Sequence, residues 1–142
     1  MGYSALLERT VNKPRSEVFG ALNDFGGIGR LVPQICKNVD LAGKGIGAKR
    51  TIELNPDSGL EGVVVERVEV AYDERVFSYS IIGENPLPVK DYTAVVELED
   101  AGSGQCRVRY GSNWVPDGMD AGELKTMFET LYGQILDGIE AQ

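Results

Sequence analysis

The chain has 142 residues, 42% of them hydrophobic, and a formal net charge of −8, which fits one domain spanning residues 1–142 around a single core. An acid excess of this size without a cluster of Lys or Arg argues against a nucleic-acid partner, because such binding draws on clustered cations that release counterions. The absence of histidine removes Ser/His/Asp and Cys/His catalysis and the HExxH zinc site, so any chemistry must use carboxylates, Tyr, Arg, Lys or Cys.

Tyr3 to Val11 reads as a strand, with Tyr3, Ala5, Leu7 and Val11 on one parity. A helix follows: Asn12 can cap it, Pro14 suits its first turn, and Val18, Ala21, Leu22 and Phe25 have helical spacing. Gly26-Gly27 breaks it, and a short second helix from Ile28 to Val32 ends before Pro33. From Ile35 to Pro116 the pattern is a meander of strands. Its turns are Gly43–Gly47, Asn55–Gly59, Asp73-Glu74, Asn85–Pro88 and Ala101–Gly104. The last element is a long helix with Asp120 as N-cap and Glu123 placed to close a capping box. Its apolar stripe is Leu124, Met127, Phe128, Leu131, Tyr132, Ile135 and Ile139.

Alternation along the meander brings two charges inside. In the third strand the even positions Ala48, Arg50, Ile52 and Leu54 form the apolar face, with Arg50 its one charge. In the fourth strand the even positions are Gly62, Val64, Glu66, Val68 and Val70, with Glu66 the one charge. A turn over Asp57–Gly59 sets Leu54 against Gly62, Ile52 against Val64 and Arg50 against Glu66. Continued through Asp73-Glu74, the register sets Val70 against Phe77, Val68 against Tyr79 and Glu66 against Ile81. In the last hairpin Tyr92, Ala94, Val96 and Leu98 face Ser112, Tyr110, Val108 and Cys106, with Trp114 following.

A one-faced sheet, a long amphipathic helix and two short helices predict an α+β domain: a curved seven-stranded antiparallel sheet wrapped around the C-terminal helix. The inner face would enclose an apolar cavity into which Arg50 and Glu66 point. The pair has two readings: a buried bridge that fixes register, or a site that holds or protonates a ligand. Tyr79, Tyr92, Tyr110 and Trp114 could offer polar tips to a ligand or could satisfy one another in the core. Gly43–Gly47 lacks the Lys-Ser/Thr ending and following helix of a phosphate loop and reads as a flexible turn or cavity lid. No metal-ligand cluster is legible, and neither metal nor cofactor is expected. Cys36 and Cys106 form no CxxC pair and read as reduced thiols. With no membrane span and no basic-apolar leader, they suggest a cytoplasmic protein, monomeric or homodimeric.

The order of elements resembles the helix-grip superfamily that contains START domains and the birch-pollen allergen. More local stretches are similar to its polyketide cyclase/dehydrase branch: Val18-Phe19 to Asp24-Phe25, the glycine loop, Arg50, Val64–Val68 ahead of Asp73, Phe77-Ser78-Tyr79 and Leu87–Tyr92. The resemblance implies a hydrophobic ligand held between sheet and helix, for sequestration or transport. Some plant relatives, notably lachrymatory factor synthase, use an inward Arg and Glu for proton transfer, which carries over to Arg50 and Glu66. The alternative reading is therefore a cofactor-independent cyclase, dehydratase or isomerase. The ligand-facing set so implied is Arg50, Glu66, Tyr79, Ile81, Tyr92, Tyr110, Trp114, Phe25, Phe128 and Leu131.

Overall fold

The structure is a computed structural model that describes residues 2–142. Seven strands form one antiparallel sheet: β1 (Ala5–Val11), β2 (Cys36–Ala42), β3 (Lys49–Leu54), β4 (Val63–Tyr72), β5 (Val76–Ile81), β6 (Val89–Asp100) and β7 (Cys106–Pro116). Their spatial order is β1-β7-β6-β5-β4-β3-β2, so only β1 leaves the meander and pairs with the last strand. Two short helices, α1 (Arg15–Asn23) and α2 (Ile28–Leu31), follow β1, and α3 (Ala121–Glu140) ends the chain. The curved sheet grips α3 as expected.

Local chemistry departs from expectation at the first helix. Pro14, not Asn12, takes the N-cap position of α1, its carbonyl accepting from Glu17 and Val18 N–H. Asn12 is used elsewhere: its side-chain oxygen accepts from Gln105 Nε2 and its N–H donates to Glu140 Oε2. The helix also ends at Asn23, ahead of the glycine pair, which lies in a 3-10 turn over Phe25–Gly27. At α3 Asp120 Oδ2 accepts from Gly122 and Glu123 N–H, but among the described residues Glu123 makes no return bond. The buried stripe keeps Leu124, Phe128, Tyr132, Ile135 and Ile139 of the expected one and adds Leu136, while Met127 and Leu131 are half-buried.

The β3–β4 register is as read, with Arg50 opposite Glu66 and Ile52 opposite Val64. Two other registers are corrected. A bulge at Glu69 follows the Val68–Tyr79 pair, so Ala71, not Val70, faces Phe77, and Val70 turns outward to 37% exposure. The Glu69 carboxylate accepts from Arg67 Nε and Ser80 Oγ on the outer side. In the β6–β7 hairpin Ala94 faces Ser112, Val96 faces Tyr110 and Leu98 faces Val108, two residues from the expected pairing. The loop after the closing Asp100–Cys106 pair is longer than the expected turn, and a two-residue slip keeps every side chain on its face.

Polar bonds fasten α3 to the free edge of β1. Glu129 Oε2 accepts from Leu6 N–H, and Arg9 bridges Asp137 and Glu140. The Asn12 N–H and then Arg9 hold the Glu140 carboxyl below its ordinary value of 4.5. A depressed carboxyl contributes stability above its unfolded value and loses it as pH falls through the folded one. Glu140→Gln should therefore lower Tm at neutral pH and narrow the gap to wild type below pH ~4, measured as Tm against pH.

Candidate functional site

Arg50 and Glu66 lie side by side on the inner face, 5% and 8% exposed. Arg50 Nε donates to Glu66 Oε1 at 2.7 Å, and Nη1 donates to the Phe25 carbonyl at 3.1 Å. The 3-10 turn after α1 thus supplies an acceptor, and it also supplies a lid, because the Phe25 ring covers the guanidinium at 3.8 Å. Tyr79 lies 4.9 Å away. Both approaches are of cation–π type. Burial works against the Arg50 charge, but the Glu66 carboxylate overrides it and keeps the arginine pKa above its ordinary value.

Among the described residues two atoms of the pair find no hydrogen-bond partner: Oε2 of Glu66 and Nη2 of Arg50. Among the described residues no side-chain nitrogen or oxygen is both sealed and unpartnered, so both atoms border open space. Both residues line a cavity of about 70 Å³ whose other walls include Ile28, Cys36, Ile52, Val64, Tyr79 and Leu131. Burial pushes the Cys36 thiol up to about 11, so it is a neutral wall. Neither cysteine is in a disulfide.

A groove of about 430 Å³ lies beyond this cavity, lined by Met119, Met127 and Phe128 among others. Ile35, Leu60, Leu87 and Leu131 line both spaces and so form the partition between them. Leu60 follows the β3–β4 turn, Leu87 lies in the β5–β6 loop and Leu131 is on α3. These partition residues escaped the sequence reading except for Leu131. A signal was present: Leu60 after Ser58-Gly59 and Leu87 between Pro86 and Pro88 are large apolar residues in turn sequences.

The remaining aromatic residues of the predicted set are spent on one another. Tyr79 and Tyr110 hydroxyls meet at 2.5 Å, as do those of Tyr92 and Tyr132. Tyr132 donates onward to Ser112 Oγ, which also accepts from Trp114 Nε1, so Tyr92 must be the donor to Tyr132. Burial raises the pKa of all four phenols. Tyr110 stands behind Arg50 at a void of about 10 Å³. Ile81 and Tyr92 line a separate surface groove with Lys90, Asp91 and Asp117, and Phe128 packs against Tyr92 and Trp114. The structure therefore brings Arg50, Glu66, Tyr79 and Leu131 to one cavity, with Phe25 roofing the arginine. Gly43–Gly47 does not line it, and no group of three or more metal-ligating side chains occurs among the described residues.

The family model described as "Polyketide cyclase / dehydrase and lipid transport" matches residues 5–142. The chain belongs to that family. Among curated proteins none matches the chain, whereas similar solved structures are numerous. The protein XoxI from Bacillus cereus superposes with a TM-score of 0.80 at 22% identity, over 99% of this chain and 94% of that one. A putative uncharacterized protein from Bacillus thuringiensis gives 0.78 at 21% identity, over 96% of each chain. Norcoclaurine synthase from Thalictrum flavum, solved with dopamine and hydroxybenzaldehyde, gives 0.76 at 13% identity over 96% of this chain and 83% of its own. At these identities the likeness establishes the helix-grip fold of the family, and fold alone does not establish chemistry. No helix is long and apolar enough to cross a membrane among the described residues.

Proposed function

We propose that the protein binds a small, largely hydrophobic molecule between the sheet and α3, with Arg50 and Glu66 as the polar end of the site. The observation that carries this reading is an apolar-walled cavity at whose end a buried carboxylate keeps one oxygen unpartnered. Because that oxygen borders the cavity, it is free to accept from a ligand head or a cavity water. A volume of about 70 Å³ holds about two waters, and ligand sites commonly span ~300–1,000 Å³. Occupancy then requires the Leu60, Leu87 and Leu131 side chains to swing aside and join the cavity to the 430 Å³ groove.

Native mass spectrometry of gently purified protein tests this reading. A retained apolar molecule, or uptake from a panel of aliphatic and aromatic compounds, is the expected result. A chain that retains nothing and takes up no member of the panel contradicts it.

A second reading has one specific support, the same free Oε2, which could accept a proton from a bound substrate while Arg50 holds the developing negative charge. This would make the protein a cyclase, dehydratase or isomerase without a cofactor. Under it, Glu66→Gln lowers turnover of a matched substrate by ~10²-fold or more while leaving binding nearly intact. Unchanged turnover would end the catalytic reading and leave the binding one standing.

A further inference from the structure

The polar end of the cavity is balanced in charge but not saturated in hydrogen bonds. The Phe25 ring covers one face of the Arg50 guanidinium, and Tyr79 stands beside it next to Phe25. With Nε bonded to Glu66 and one N–H of Nη1 to the Phe25 carbonyl, the second N–H of Nη1 and both of Nη2 remain. Nη2 shares the Nε side of the planar fork, the side that faces a carboxylate. Glu66 likewise retains one oxygen. The site thus offers a newcomer both donors and an acceptor on neighbouring groups. The other titratable side chains at the cavity, Cys36 and Tyr79, are held neutral by burial, so nothing nearby balances a third charge.

We infer that the cavity selects hydrophobic molecules with a neutral hydroxyl head, which donates to Glu66 and accepts from Arg50, and rejects those with a charged head. This rests on the reading that the cavity takes a hydrophobic ligand. A carboxylate would set two anions against one guanidinium, and an ammonium would set two cations against one carboxylate. In a desolvated pocket either arrangement leaves a buried charge without a partner. A ketone satisfies Arg50 alone and leaves the Glu66 oxygen unmet.

The test holds the apolar body fixed and changes the head: 1-octanol, 2-octanone, octanoate, octylammonium and n-octane, each titrated into methyl-labelled protein and followed by NMR at neutral pH. Octanol should bind tightest, octanone next, and the two ions at least tenfold more weakly than octanol. Equal affinity across the heads, or octanoate or octylammonium tightest, overturns the inference while leaving hydrophobic binding intact. No binding by any member, n-octane included, overturns the hydrophobic-ligand reading and the inference with it. The Glu66→Gln variant adds a readout that a purely structural pair would not move. It turns the site cationic, so octanoate should gain on octanol by about tenfold relative to wild type. An unchanged ratio in the folded variant counts against direct contact between ligand head and pair.

Discussion

Replacing Arg50 with Met is expected to cost about 3–5 kcal/mol in urea unfolding, because it strands the Glu66 carboxylate in the core without its partner. The 2.7 Å bond and the near-complete burial of both side chains place the pair in the class where removing one member is far worse than removing both. Arg50→Met combined with Glu66→Leu should therefore recover most of the loss. Full recovery is not expected, since the arginine also bonds the Phe25 carbonyl and stacks on its ring. Losses that simply add across the two single variants would show that the charges are not coupled in solution.

Gly138→Ala should destabilise the protein by about 1–3 kcal/mol, although alanine is the better helix former by about 1 kcal/mol. The reason is the approach of α3 to α2: a Cβ at Gly138 would overlap the Leu31 carbonyl oxygen and lie 2.9 Å from Leu31 C and Cα. Backbone cannot rotate aside as a side chain can. Gly133→Ala on the same helix is the control, because its nearest neighbour would be Leu7 Cδ2 at an ordinary 3.7 Å. It should raise stability by up to about 1 kcal/mol. Opposite signs at two glycines of one helix, read by thermal or urea unfolding, would establish the α2–α3 contact. The contact bears on the cavity as well, because Ile28 of α2 and Ile135 and Leu131 of α3 are among its walls.

The pairing of Arg50 with Glu66 was legible because the side-chain period of a strand is two and the connection between the paired Glu53 and Val63 is centred on Ser58, within the turn read from the sequence, so that midpoint fixes every partner. The same arithmetic failed at Val70, where the Glu69 bulge inserts a residue that no alternation pattern announces. It slipped by two in the β6–β7 hairpin because Gly102 and Ser103 mark a turn without fixing its length, yet the faces survived. Asn12 shows a different limit. It is a good cap by type, but the Glu140 carboxylate and Gln105 claim it from far along the chain. The tyrosine and serine contacts have the same character: each residue lay on the expected face, but which hydroxyl meets which depends on how α3 seats on the sheet. The partition escaped because Leu60 and Leu87 occupy turn segments, where periodicity carries no information about burial.

The most direct test of the central claim is a methyl-resolved NMR titration with n-octane, whose lack of a head group separates the location of binding from head-group preference. Shifts at Ile52, Val64, Leu60, Leu87 and Leu131, which line the cavity or its partition, are the predicted result. Shifts confined to exposed methyls such as Ile46, Val70 and Val115, or none at saturation, would contradict a ligand site beside Arg50 and Glu66.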